Sequence, residues 1–326
     1  MKELIEIIDP SLKISAIKLM RHFWSNKDKT KKRINIPYEF QEQLAKIVGA
    51  HLPDGYLQKS GLSYQIKVSD GRKDTIEIFR TWLKEVFNLD SRIRFNKGDN
   101  TWNAWYSSKI IGRFFENIFE IDAGKKAYSV REPIIIKNSH LKIRNAFVLG
   151  VMTFDGGVKT SGIISISSMS KKLIEDLEEI FQLNGLNTCK EYNLKKKSWL
   201  LESKSGRRRE DLSKWLNYFE HGSWKYHRLN FFLRNKSHSL SDLEELFPRH
   251  HLCKICLSDV YAVLKKIKKG KIRDLILELD NRNSKIANTT IYKYLFILEK
   301  AGLIIKEDLV TSFQNYGQRE IIYTVK

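Results

Sequence analysis

A pattern of small and acidic residues occurs twice in the chain, and it constrains the fold more than any other feature. The first copy is LAKIVGAHLPDG (residues 44–55) and the second is KIRNAFVLGVMTFDGG (residues 142–157). Each copy predicts an apolar helix that contains two small residues four positions apart and is followed by an Asp-Gly pair. The carboxylates, Asp54 and Asp155, lie 101 positions apart. The small residues are Ala45 and Gly49 in the first copy and Ala146 and Gly150 in the second.

The segments that follow the two copies also correspond in type and order. Each copy is followed by an alternating strand, an amphipathic helix, two polar-aromatic strands and another helix, by their periodicities. Lys126 then follows Asp54 by 72 residues, and Lys225 follows Asp155 by 70. We therefore predict two α+β units, 36–135 and 136–236, in which the first strand after each motif is one strand or two.

The ends of the chain differ from these two units. The basic segment 1–35 predicts a helix around Ile14–Phe23, followed by a lysine-rich loop. Residues 240–326 predict three helices and a β-hairpin, which is the plan of a winged helix-turn-helix whose third helix enters a DNA groove.

The charge balance indicates a polyanionic partner. The chain has 58 Lys and Arg against 38 Asp and Glu, a net charge of +20. Because the excess is spread through folded sequence, it favours nucleic acid over a membrane surface. The alternative is a soluble protein from a lysine-rich proteome.

The sequence lacks the signals of export or membrane insertion. It has no apolar run of about 18 residues and no signal peptide at MKELIEIIDPSLK. Its 3 cysteines give no disulfide framework. We expect an intracellular, cytoplasmic protein associated with the nucleoid, with no membrane partner.

The paired motif resembles the LAGLIDADG homing endonucleases, over residues 34 to 230. The resemblance is carried by Leu44, the four small residues, Asp54-Gly55 and Asp155-Gly156. It implies two pseudo-symmetric repeats with curved antiparallel DNA-binding sheets, α+β in class. It also implies a monomeric, site-specific endonuclease that cuts double-stranded DNA with Mg²⁺, for which Mn²⁺ substitutes. The implied catalytic residues are Asp54, Asp155, Lys126 (or Lys125) and Lys225, the implied metal site is Asp54, Asp155, Gly55 and Gly156, and the helix interface is Ala45, Gly49, Ala146 and Gly150.

The physical chemistry of the motif agrees with these roles. Small residues four apart let two helices approach closely. Their C-terminal ends, which carry partial negative charge, would then bring the two carboxylates together. Oxygen ligands of this kind favour Mg²⁺. The residues before the aspartates depart from the family, and Pro53 and Phe154 are expected to shift the carboxylates.

Polar residues on the strands and on the third C-terminal helix are candidates for contacts with DNA. The alternative is that they form only the solvated face of a sheet. The candidates are Gln65, Lys67, Arg92, Arg94, Asn96, Trp102, Asn103, Lys190, Glu191, Asn193, Lys195, Glu202, Thr289, Thr290, Tyr292, Lys293 and Arg319.

Two alternatives stay open at this point. LAGLIDADG folds fused to a helix-turn-helix also occur in bacterial sporulation regulators, so the chain is either an endonuclease or a catalytically silent transcription regulator. The spacing of His250, His251, Cys253 and Cys256 resembles half of a zinc site, but no second ligand pair follows nearby. A buried helix carrying two cysteines is the expected interpretation of that segment.

Overall fold

The chain folds into helices packed on antiparallel sheets, the α+β class expected from the sequence. The computed structural model describes residues 22–23, 34–37, 40–60, 63–124, 127–204, 209–234, 238–248, 255–280, 288–310 and 319–326. The chain divides into two compact units. The first comprises Met1–Gly157 and Ile163–Tyr226, and the second comprises Val158–Gly162 and His227–Lys326.

The first half of the first unit contains the first copy of the motif. Its first two strands pair with each other, with His22 and Phe23 opposite Asn35 and Ile34. The helix predicted around Ile14–Phe23 is therefore wrong at its last two residues, and the rest of it, like the lysine-rich loop, lies outside the described residues. The elements are β1 (His22–Phe23), β2 (Ile34–Asn35), α1 (Glu42–Asp54), β3 (Gly55–Ser60), β4 (Ser63–Asp70), α2 (Lys73–Phe87), β5 (Arg92–Asn96), β6 (Thr101–Ser107) and α3 (Lys109–Ile118).

The second half repeats this order around the second copy. The elements are α4 (Ile134–Lys137), α5 (Leu141–Phe154), β7 (Gly157–Val158), β8 (Ile164–Ser168), α6 (Lys171–Leu183), β9 (Thr188–Asn193), β10 (Ser198–Ser203), α7 (Arg209–Trp215), a 3₁₀ turn (Leu216–Tyr218) and α8 (Trp224–Leu233).

The two sheets share one topology. The strand order is β3-β4-β6-β5 in the first sheet and β7-β8-β10-β9 in the second. In both halves, therefore, two strands rather than one follow the motif. The helix α2 covers one face of the first sheet through buried residues such as Phe79 and Leu83, and α6 covers the second through Leu177 and Phe181. On the other face of each sheet lie exposed side chains such as Arg92, Arg94 and Glu191.

The helices α1 and α5 cross at the two glycines of the motif. A Cβ atom built on Gly49 would lie 2.1 Å from the carbonyl oxygen of Phe147, and one built on Gly150 would lie 2.1 Å from that of Lys46. Lys46 and Phe147 are themselves 101 positions apart, so each glycine meets the equivalent residue of the other helix. The helix backbones thus touch at a pseudo-two-fold contact that only glycine permits.

A buried ion pair fixes the start of α5. The Arg144 guanidinium donates to Glu132 at 2.9 and 2.7 Å and to Glu179 at 2.9 Å. The Glu132 side chain is fully buried, and burial raises the pKa of its carboxyl, opposed by Arg144.

Replacing Arg144 by methionine is expected to destabilise the protein by about 3 kcal/mol at pH 7, because it leaves a buried carboxylate without its partner. The loss should shrink as the pH falls, since Glu132 can then take up a proton. Urea denaturation at pH 7 and pH 5 measures both. The control is Arg131→Met, which breaks an exposed pair with Glu120 at 3.5 Å and should cost less than about 1 kcal/mol. Equal losses in the two variants would contradict the role of burial.

The second unit contains the three helices and the hairpin predicted near the C-terminus, together with a helix at Leu240–Leu246 and a short strand at Lys269–Lys271 that the sequence did not indicate. Its three-stranded sheet has the order β11-β13-β12. Within the residues described, no helix is long and apolar enough to cross a membrane. The elements after α8 are α9 (Leu240–Leu246), α10 (Leu257–Ile267), β11 (Lys269–Lys271), α11 (Ile272–Asp280), α12 (Asn288–Lys300), β12 (Ile304–Val310) and β13 (Arg319–Val325).

Candidate active site and nucleic-acid interface

The two aspartates of the motif stand at the ends of the crossed helices. Helix α1 continues through Pro53 to Asp54, and α5 ends at Phe154, where the backbone N–H of Asp155 donates to Val151 O at 2.8 Å. Phe154, one of the departures from the family pattern, is buried against Phe79 at 5.7 Å between ring centroids. The side chain of Asp54 lies outside the described part, so the side-chain geometry of the site comes from the second half.

Lys225 lies against the end of α5. It occupies the first turn of α8, is only 4% exposed, and its Nζ donates to the carbonyl oxygen of Phe154. Its ammonium group is close enough to Asp155 to lower the pKa of that carboxyl. The structure therefore brings together two of the predicted catalytic residues, Asp155 and Lys225. Lys125 and Lys126 lie outside the described residues.

The positive charge near the Asp155 carboxyl does not offset the effect of its burial. Burial raises its pKa to about 6, and the charge of Lys225 opposes this shift only in part. Burial and the nearby helix C-terminus both disfavour the ionised form of this carboxylate. A bound divalent cation would stabilise that ionised form. The chemistry of the donors fits Mg²⁺ or Mn²⁺. Among the described residues no group of three or more His, Cys, Asp or Glu side chains is placed to hold a metal ion.

Asp70 is a further acidic group near Lys225 that sequence reasoning missed. It ends β4, and its Oδ1 accepts a hydrogen bond from the backbone N–H of Arg72 at 2.6 Å. Burial raises the pKa of Asp70, and Lys225 is the largest influence lowering it. The Arg72 guanidinium lies 5.7 Å from the ring centre of Trp224, the residue before Lys225. The end of β4 thus packs against the start of α8, joining the first half of the unit to the second.

Glycines hold the backbone around the site. Gly124 and Gly222, which precede the predicted lysines, both have positive φ, +101° and +89°, a conformation that favours glycine. A Cβ on Gly55 would lie 2.2 Å from His51 O, and one on Gly156 would lie 2.5 Å from Met152 O. The chain therefore turns tightly from each helix into the following strand.

Substituting Lys225 by methionine should raise the pKa of Asp155 further above about 6, because the variant keeps the length of the side chain and removes its charge. The pKa of Asp70 should rise in the same variant. Titration of the carboxyl carbons by ¹³C NMR measures both. Lys214→Met, at an exposed position of α7, is the control. An unchanged Asp155 titration in the Lys225 variant would contradict the geometry.

The open face of the first sheet is cationic. The register pairs Lys67 and Arg92 with Trp105, and the guanidinium groups of Arg92 and Arg94 lie 5.7 and 5.4 Å from the centre of the Trp105 ring. Asn103 is on this face but only 6% exposed, and its Oδ1 accepts from Ser69 at 2.6 Å. Trp102 lies on the helix side, where Lys73 of α2 contacts it. The open face comprises Tyr56, Gln58, Gln65, Lys67, Ser69, Arg92, Arg94, Asn96, Asn103 and Trp105.

The open face of the second sheet lacks basic residues. Lys190 is not on it, because its Nζ reaches Glu178 of α6 at 2.7 Å on the helix side, and Lys195 is exposed in the turn between β9 and β10. These placements correct the prediction that both lysines lie among the DNA-facing strand positions. The open face comprises Ser165, Ser167, Cys189, Glu191, Asn193, Ser198, Leu200 and Glu202.

The predicted recognition helix presents its candidates to solvent. In α12 the buried side is formed by Ile291, Tyr294, Leu295, Ile297 and Leu298. On the other side Tyr292 is 50% exposed, Thr289 and Lys293 are exposed, and Thr290 is partly so. The side chain of Arg319 lies outside the part of the chain that is described.

Cys256 caps a helix instead of lying within one. Its backbone N–H donates to Asp259 Oδ2 at 2.9 Å, and α10 begins at the next residue. The buried helix predicted to carry both cysteines is therefore wrong at Cys256, since the residue precedes the helix. His250, His251 and Cys253 fall outside the described residues.

Comparisons with known proteins find partial similarities. No family model matches the chain. It is 27% identical over 136 residues, 40% of its length, to an uncharacterized protein of Methanocaldococcus jannaschii, and 26% identical over 157 residues, 47% of its length, to a DNA polymerase of Thermococcus sp. strain GE8. The matched regions span 17% and 9% of those two proteins.

Solved structures with similar folds include homing endonucleases. A complex of I-DmoI with DNA and manganese has a TM-score of 0.43 and 18% identity, over 54% of this chain and 97% of that one. I-WcaI bound to its recognition sequence has a TM-score of 0.39 and 17% identity, over 69% and 96%. The N-terminal LAGLIDADG domain of DUF199/WhiA has a TM-score of 0.39 and 12% identity, over 56% and 86%.

Proposed function

We propose that the chain is a site-specific, Mg²⁺-dependent endonuclease that hydrolyses phosphodiester bonds in both strands of a DNA duplex. The observation that carries this proposal is the contact of α1 with α5 at Gly49 and Gly150, because each of these helices ends at or next to an aspartate and Lys225 contacts the end of α5. A structural helix pair needs no carboxylate at this place, where burial disfavours its charge.

The residues of the site would have distinct roles. Asp155 and Asp54 would hold Mg²⁺ together with backbone oxygens near Gly55 and Gly156. The metal, when bound, would activate water and stabilise the leaving oxygen. The Lys225 ammonium would neutralise charge on the scissile phosphate, and Asp70 with Arg72 would keep that lysine in position.

The rest of the chain would bind the DNA. The repeats 36–135 and 136–236 would each supply one aspartate and one sheet, so a single chain would suffice as a monomer. The region 240–326 would act as a winged helix, with α12 in a groove, through Thr289, Thr290, Tyr292 and Lys293. A DNA-binding protein of this kind would act at the nucleoid in the cytoplasm.

Selection from a randomised duplex library tests this function. The full chain is incubated with the library in Mg²⁺ or Mn²⁺, and the cut ends are sequenced beside those from Asp155→Asn. We expect metal-dependent breaks at one long sequence with the wild-type chain alone. Cutting by both proteins, or metal-independent cutting, would point to a contaminating nuclease and contradict the proposal.

A silent transcription regulator is the second candidate, and the C-terminal unit favours it. The exposed side of α12 could bind an operator without any chemistry at the motif. Sequence-selective binding by both the wild-type chain and Asp155→Asn, with no cutting at any metal concentration, would establish this function instead.

A further inference from the structure

The two sheets are equivalent in topology but opposite in charge on their open faces. The register aligns them residue by residue, because Trp102 lies between Asp70 and Phe95 as Trp199 lies between Ser168 and Tyr192. The equivalence extends to geometry. The rings of Phe95 and Trp102 are 5.1 Å apart, and those of Tyr192 and Trp199 are 5.0 Å apart. The two faces can therefore be compared position by position.

No cationic position of the first open face is cationic at the equivalent position of the second open face. By the register, Lys67 corresponds to Ser165, and Arg92 corresponds to Cys189. Two positions of the second face are acidic, because the third cation, Arg94, corresponds to Glu191, and Trp105 corresponds to Glu202 by the same pairing.

The charges of the first face are suited to a polyanion, and those of the second face are not. Arg92 and Arg94, held over the Trp105 ring, are suited to phosphate contacts. Carboxylates repel phosphate, so away from a metal ion they are suited to DNA where they accept hydrogen bonds from a base. The cytosine N4 amino group is the donor that Glu and Asp match in the major groove. The basic residues Lys195, Lys196 and Lys197 of the second half stand in the hairpin turn, away from the strand positions.

We propose that the two faces divide recognition: the first sheet supplies phosphate affinity, and the second selects cytosine through Glu191 and Glu202. This inference rests on the proposed binding of a duplex across both sheets. The division predicts that one half-site of the target contains cytosines contacted by Glu191 and Glu202. The other half-site is bound through phosphate contacts of Arg92 and Arg94.

Binding selections with the full chain and two double variants test the division, with Ca²⁺ in place of Mg²⁺. Arg92→Gln/Arg94→Gln should weaken binding to all sequences and reduce the salt slope, d log K/d log [salt], by about 2. Glu191→Gln/Glu202→Gln should leave the slope unchanged and shift the selected bases of one half-site from cytosine toward adenine, which glutamine recognises. The discrimination against other bases at those positions should fall about tenfold.

Lys190→Gln is the matched control on the same strand. Its ammonium faces Glu178 on the helix side, so neither the salt slope nor the selected bases should change. Unaltered base preferences in the glutamate variant, or a salt slope lowered as much as by the arginine variant, would overturn the division alone. Absence of duplex binding by the wild-type chain would overturn both the division and the proposed function.

Discussion

A valine at position 49 is expected to prevent the first unit from folding stably. Even the Cβ atom of that residue would lie 2.1 Å from the carbonyl oxygen of Phe147, and the backbone of α5 cannot withdraw without opening the core on both sides. Overpacking of this kind costs about 3 kcal/mol or more. Gly150→Val should have a similar effect, because it meets Lys46 O at the same distance of 2.1 Å.

Urea denaturation followed by tryptophan fluorescence measures this loss. Gly71→Ala is the control, since a Cβ there would meet nothing within 4 Å, and its effect should stay below about 1 kcal/mol. In the double variant the losses should not add, because both glycines belong to one contact. A Gly49→Val protein as stable as the control would mean that α1 and α5 do not cross at this point.

Replacing Asp155 by asparagine is expected to abolish double-strand cleavage while stabilising the protein at pH 7. Rates should fall at least about a thousandfold, as when a group that acts directly on the reacting atoms is removed. Stability should rise because burial lifts the pKa of Asp155 from 3.8 to about 6 in the folded state. At pH 7 the folded protein therefore contains an unfavourable buried charge, which lowers the free energy of unfolding by on the order of 1 to 3 kcal/mol. Asparagine removes this charge.

The stabilisation by asparagine at position 155 should depend on pH. Between about pH 6 and pH 4 the wild-type protein takes up a proton that the unfolded chain does not bind, so its stability rises as the pH falls. The gain from asparagine should therefore be full above pH 6 and vanish below pH 4. Thermal unfolding of the metal-free protein across this range measures it, with Asp99→Asn in an exposed turn as the control. A variant less stable than wild type at pH 7 would contradict the account.

The helix crossing was predictable because its signal is local and repeated. Ala45 and Gly49 recur as Ala146 and Gly150 at one constant spacing, and small residues four apart lie on the same stripe of a helix. The matching order of elements then predicts the same succession of helices and strands in both halves. The sequence does not distinguish one strand from two after each motif, and in the second half this is because β7 has only two residues and shows no alternation.

The orientation of the strands could not be predicted in full, because successive side chains alternate between the two faces. Lys190 and Asn193 are three positions apart in one strand and therefore lie on opposite faces, as Trp102 and Asn103 do. Only burial against α2 and α6 shows which face is open. Asp70 was missed for a related reason: its nearness to Lys225 depends on the packing of β4 against α8, 155 residues later in the chain.

Cleavage of a supercoiled plasmid that carries the selected target tests the central claim most directly. With Mg²⁺, the wild-type chain should convert the plasmid to the linear form, because each half supplies an aspartate for one strand. Asp155→Asn should bind the same plasmid and leave it unlinearised. Linear product from the Asp155 variant at the wild-type rate would show that the carboxylate at the end of α5 takes no part in the chemistry, and would contradict the account.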